Sequence, residues 1–171
     1  ENTLYGVGGA ASIPENLTTG DFVFPIAEED LLRYSSPYGL RRSPFTNLLT
    51  QHEGVDIATV WRAQVVSVSD GVVTEHWPPP GAVINGTVFR GHPVYGGVLR
   101  IRHDNGLETL YAHMSETFVN QNDIVSAGEV IGRVGNTGIS TGQHLHFEIF
   151  INGDTVNPMV YLSELPEFEQ N

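Results

Sequence analysis

Cysteine is absent from this 171-residue sequence, which excludes disulfides and thiolate metal ligands together. Any metal site must therefore draw on histidine and carboxylate. No run of about 18 apolar residues occurs, so no membrane-spanning helix is expected. The opening ENTLYGVGG shows neither a basic leader nor an apolar stretch, and the mature part of a secreted chain would begin the same way. Basic residues are scarce, 8 against 20 acidic ones, for a net charge of −12. That balance argues against nucleic acid and anionic membrane as partners, because both are held by Lys and Arg. The acidic surplus reads as a solubilising surface.

Glycine (19) and proline (10) are plentiful and mark many turns, while 40% hydrophobic content is enough for a core. Helical periodicity is confined to one segment, IAEEDLLRY (Ile26–Tyr34), which is expected to form a short helix. Residues 1–21 read as an irregular N-terminal arm, and 22–171 as one domain. Asp70-Gly71 inside AQVVSVSDGVVTEHW signals a hairpin turn. A Pro- and Gly-rich stretch, at about 76–97, reads as an inserted loop with a stiff polyproline edge at Pro78–Pro80. VLRIRHDNGLETLYAHM is a second hairpin turning at Asp104-Asn105-Gly106, with Leu99, Ile101 and His103 on one face. HLHFEIFING is the last strand before Pro158 and an acidic tail. The expected class is mostly β, with small turns every six to eight residues after the second hairpin, as in a compact barrel-like sandwich.

Histidines stand at 52, 76, 92, 103, 113, 144 and 146. His52 and Asp56 are four apart, and Gly54 between them argues against a helix. A catalytic zinc takes three protein ligands and keeps a fourth position for water. HxxxD plus one histidine of the HLH strand meets that requirement. HxxxD and HxH also recur by chance on sheet surfaces, so the spacing alone leaves an ordinary strand equally open. In LYAHMS, strand alternation puts His113 on the face of Tyr111 and Ala112 on the other.

HEGVDIA, LYAHMS and GNTGISTGQHLHFEI, in this order, resemble the lysostaphin-type zinc endopeptidases that cut peptidoglycan peptides. YGLRRSP, DGVV and VSAGEVIGRVGNTG match that family too, so the resemblance runs from about Phe22 to Pro158. It implies a single compact antiparallel β-sheet domain forming a groove, and a zinc metallopeptidase with one Zn²⁺ per chain that acts on peptidoglycan in the envelope or outside the cell; the chain is expected to be a monomer. The implied zinc ligands are His52, Asp56 and His146, with His113 and His144 as catalytic histidines beside the activated water. The acidic balance leans toward direct D-alanyl cross-links over glycine bridges as the bonds cut.

Elsewhere the expectations are structural. His103 is assigned to the hairpin, His76 and His92 to solvent, Arg41 to an ion pair, and Glu148 to a bond either with a histidine N–H or elsewhere. The turn after HEGVDIA lacks the family's glycine and proline, and Trp61 near it is expected to fill core. Asn122 replaces a turn glycine and can adopt left-handed dihedrals. The insertion is expected to wall the substrate groove. Asn16-Leu17-Thr18 and Asn85-Gly86-Thr87 resemble glycosylation triplets by chance. A rival function is a catalytically inactive or latent relative that binds the wall or activates another hydrolase; the intact ligand positions speak against it.

Overall fold

Strict two-residue alternation in HLHFEIFI sets the architecture. Leu145, Phe147, Ile149 and Ile151 point into one apolar core, while His144, His146 and Glu148 share the opposite face. Each fully buried side chain of this row contributes roughly 1.5–3 kcal/mol. A computed structural model describes residues 22–104 and 106–162. The expected arm at 1–21 with the Asn16 triplet, Asn105 of the second hairpin, and the acidic tail from Ser163 lie outside the described residues.

In chain order the strands are β1 (Leu31–Ser36), β2 (Gly39–Arg42), β3 (Leu49–His52), β4 (Val55–Thr59), β5 (Gln64–Val66), β6 (Gly71–Trp77) and β7 (Val83–Ile84). They continue with β8 (Thr87–Val88), β9 (Gly97–Arg102), β10 (Leu107–Thr117), β11 (Ile124–Val125), β12 (Val130–Val134), β13 (His144–Ile151) and β14 (Asp154–Val156), before the short helix α1 (Met159–Leu162). The main sheet runs β1-β4-β13-β10-β9-β6-β11, and every pairing in it is antiparallel. β12 bridges β10 to β5, and β14 flanks β13. The core lies on one face, where Val55, Ile57, Leu99, Ile101, Tyr111 and Met114 join the β13 row. A smaller cluster of Val98, Leu110, Ala112 and Phe150 covers part of the other face. The mostly β expectation holds, and so does the β9–β10 hairpin, whose His103 hydrogen-bonds Asp70 O and Thr109 Oγ1.

Three local expectations fail, and a fourth, the insertion, takes the form of a flap with its own strand pair. IAEEDLLRY is not a helix: only Glu28–Asp30 makes a 3-10 turn, and Leu31 onward pairs with β4, because edge pairing satisfies more backbone than an uncapped acidic turn. Asp70-Gly71 is not a hairpin turn, since β5 pairs with β12 while β6 pairs with β9 and β11. Gly71 serves close packing instead: a Cβ there would strike the carbonyl of Arg102. Trp61 is 80% exposed and fills no core. The insertion is more ordered than a loop. β7 and β8 pair across Asn85-Gly86, both left-handed as a tight turn requires. Asn122 is left-handed as expected.

Candidate functional site

The strand register gathers the histidines. β13 lies between β4 and β10, so His146 pairs with Asp56 on one side and Ala112 on the other, while His144 pairs with Ala58. His52 ends β3 and reaches β4 through Glu53-Gly54. Gly54 crosses directly over β13, where any Cβ would collide with the carbonyl of Phe147. That close crossing puts His52 and Asp56 on the same side of the sheet.

Three atoms converge there. His52 Nε2 lies 3.2 Å from His146 Nδ1, and Asp56 Oδ1 is 3.2 Å from the first and 2.8 Å from the second. All three residues are buried, and together they could hold a metal ion. The other ring nitrogens are engaged. His52 Nδ1 donates to Pro37 O at 2.7 Å, and His146 Nε2 faces Glu148 Oε1 at 3.4 Å. Each of these outer partners can accept its ring's outer proton, which would free the inner nitrogens for a metal, while in the metal-free protein the His146 Nδ1–H faces Asp56 Oδ1 at 2.8 Å. Arg41 Nη1 contacts Asp56 Oδ2 at 3.4 Å and donates to Ser36 Oγ at 2.7 Å, so the expected ion pair forms. Burial alone would raise the Asp56 pKa, but hydrogen bonds from His146 and His52, with the nearby histidine charges, hold it well below the carboxylate range. Burial alone would lower His146, and its bonds to Asp56 and Glu148 push it up instead.

His113 and His144 flank this trio with ring centroids 4.9 Å apart. Each uses Nδ1 on a carbonyl, Thr137 O at 2.7 Å and Gly142 O at 2.8 Å, which leaves Nε2 as the basic nitrogen. His144 Nε2 stands 3.5 Å from Asp56 Oδ1. Burial, and then the adjacent His144, push the His113 pKa down to about 4, so its ring is neutral at ordinary pH.

Simple alternation misplaces His113. It does not share the face of Tyr111, which lies in the core, because its φ of 62° is left-handed. The pairing of β10 with β9 jumps there from Tyr111↔Leu99 to Met114↔Gly97. The extra residue turns His113 onto the groove face beside Ala112, and its amide donates to Tyr95 O at 2.8 Å. A non-glycine residue in this region costs of order 1–3 kcal/mol and persists only where surrounding bonds hold it.

The groove has a volume of about 240 Å³. Pro44 and Phe45 from the β2–β3 hairpin form one wall, and Ile139–Thr141 another. Val94 and Tyr95 complete it, so the end of the insertion does wall the groove. Two of the other histidines are less solvated than expected: His76 bonds Thr117 Oγ1 at 2.8 Å, and His92 packs against Trp77 while accepting from two backbone amides. Tyr95 was not marked by the sequence as a site residue. Its only signal is an aromatic before Gly96-Gly97 at the entry to β9.

The family model described as Peptidase family M23 matches residues 50–158. Among curated relatives, the DD-carboxypeptidase/endopeptidase Mpg of Neisseria meningitidis serogroup B is 42% identical over 139 residues, 81% of this chain and 29% of that protein. The peptidoglycan DD-endopeptidase ShyA of Vibrio cholerae is 37% identical over 128 residues, 74% of this chain and 27% of its own length. The chain thus spans less than a third of these relatives. The crystal structure of a zinc-containing peptidase from Vibrio cholerae superposes with a TM-score of 0.68 at 30% identity, covering 85% of this chain and 41% of that one.

Proposed function

The chain belongs to peptidase family M23, and on that footing we propose that it is a zinc metalloendopeptidase of the cell envelope that hydrolyses direct D-alanyl cross-links in peptidoglycan. Residues 22–171 would form the catalytic unit. The observation that carries the proposal is the triangle of acceptor atoms on His52, Asp56 and His146, with edges of 3.2, 3.2 and 2.8 Å. Tetrahedral zinc with bonds of roughly 2.0–2.2 Å sets its ligand atoms about 3.3–3.6 Å apart, so each edge would lengthen a little on binding, the His146–Asp56 edge most. The spacing and the two-histidine, one-carboxylate donor set therefore both fit zinc. The DD-endopeptidase names of the relatives, rather than any glycine-bridge activity, support the choice of bond.

Held by His52, Asp56 and His146, zinc would supply a water made acidic near neutrality and a Lewis acid for the peptide carbonyl. The rest falls to the chain. Pro37 and Glu148 fix the two ligand histidines in the tautomers that present lone pairs inward. Arg41 holds Asp56 and leaves Oδ1 free to face the histidines. His113, neutral through burial, offers Nε2 as proton acceptor, while His144 Nε2, closer to Asp56, is placed to carry a proton toward the developing oxyanion or the leaving amine. Phe45, Val94 and Ile139 line the groove with apolar surface suited to alanyl methyl groups.

The test is digestion of two purified walls, one directly cross-linked and one glycine-bridged, with mass analysis of released fragments. Cross-linked dimers from the first wall should fall to monomers, with the second untouched. A zinc-loaded protein that cleaves neither would overturn the proposal.

A further inference from the structure

One residue of the insertion, Tyr95, meets three residues of the site, Glu148, His146 and His113. The Tyr95 hydroxyl donates to Glu148 Oε1 at 3.2 Å. That same oxygen faces His146 Nε2 at 3.4 Å. The Tyr95 ring lies over the His146 ring, with centroids 5.6 Å apart and planes 18° from parallel. Its carbonyl accepts the His113 amide at 2.8 Å, at a strand position where a non-glycine residue is held in left-handed backbone. Glu148 is almost wholly buried, and His146 Nε2 is a buried nitrogen without a well-formed hydrogen bond of its own. A buried carboxylate held still beside such a nitrogen can accept a hydrogen bond from the ring's outer N–H.

We infer that Tyr95 is a positioning residue. Its hydroxyl anchors Glu148, which holds the proton of His146 on Nε2 and so turns Nδ1 toward the metal, while its backbone carbonyl fixes His113 in the bulge. The inference rests on the zinc-site proposal above. It gives the insertion a task beyond walling the groove, since the segment that carries Tyr95 is tightly tied in. Gly96 and Gly138 pack so closely that a Cβ on either would meet backbone of the opposite loop. Val94 O accepts the Ile139 amide at 2.8 Å, and His92 Nδ1 accepts the Tyr95 amide at 3.0 Å. The hydroxyl is thus delivered by a loop held through close backbone packing and hydrogen bonds on both sides of Tyr95. Burial, and then the charge of Glu148, push the Tyr95 pKa up, so the group stays a donor.

The experiment is Zn²⁺ titration of the full chain against a chromophoric chelator, using the parent, Tyr95→Phe, Glu148→Gln and the double variant, alongside melting of the zinc-free forms. Tyr95→Phe keeps the ring and the carbonyl and removes only the O–H. Zn²⁺ affinity is expected to fall about 10- to 100-fold. Glu148→Gln should weaken binding in the same range. The double variant should bind no worse than the weaker single one, because both act through one chain of contacts. Zinc-free melting of Tyr95→Phe should stay within a few degrees of the parent, which separates positioning from a general packing role. Tyr95→Phe binding zinc as tightly as the parent, or losses that multiply in the double variant, would overturn the inference and leave the zinc proposal standing. A parent that takes up no zinc overturns both.

Discussion

His52 Nε2 and His146 Nδ1 face each other at 3.2 Å although 94 positions separate them, with Asp56 Oδ1 closing the triangle. Three acceptors this close need a positive charge among them, and in the metal-free protein a proton on the raised His146 supplies it. Zinc must displace that proton. Zinc binding near pH 7 should release about one proton, and affinity should fall about tenfold per unit as pH drops below the raised His146 value. Titration calorimetry in two buffers of different ionisation heat measures the release; a heat independent of buffer would count against it.

His113→Ala and His144→Ala should each lower wall digestion by about 10²- to 10⁴-fold while zinc content stays at one per chain. Neither ring belongs to the acceptor triangle, so elemental analysis distinguishes lost chemistry from lost metal. His146→Ala should lose both.

Gly54→Ala tests the close crossing over β13. The new Cβ meets the carbonyl of Phe147 and the side chain of Glu148, and backbone cannot swing away as a side-chain end can. A destabilisation of about 1–3 kcal/mol is expected by chemical unfolding. Zinc affinity should fall with it, because His52 and Asp56 hang from that turn.

Stability should weaken in mild acid through His103. Burial pushes its pKa below the ordinary value, outweighing the bond to Asp70 O that raises it. The folded state therefore binds its proton only at lower pH than the unfolded chain, whose value is about 6.5. The stabilisation is complete above that pH and is lost as pH falls toward the depressed folded value. His76 is lowered too, again by burial, and acts in the same direction. Melting of zinc-free protein between pH 7.5 and 5 should fall more steeply for the parent than for His103→Gln; parallel curves would contradict the assignment.

Much of this was legible in the sequence because β13 obeys its period. HLHFEIFI announces a core face and a polar face, and the antiparallel partners follow from it. The departures from local rule were not legible there. His113 turns to the groove through one left-handed residue that alternation cannot foresee. Asp70-Gly71 has the letters of a hairpin, yet its glycine is spent on a close approach to β9. IAEEDLLRY has helical spacing, but the free edge of β4 offers it a ladder. Trp61, hydrophobic and near the ligands, points to solvent because the short β4–β5 link leaves it no interior to enter. Tyr95 matters through contacts with residues 18 and 53 positions away, which no motif records.

The two faces of β13 carry a last consequence. Since core and chemistry interleave on one strand, a slip of a single residue would drive His144, His146 and Glu148 into hydrocarbon and push Leu145, Phe147 and Ile149 into the groove. No misregistered form can be stable and slightly active. Under the proposed function, hydrolysis would therefore also be a proofreading signal: a molecule that cuts would, by that fact, have threaded its last long strand correctly.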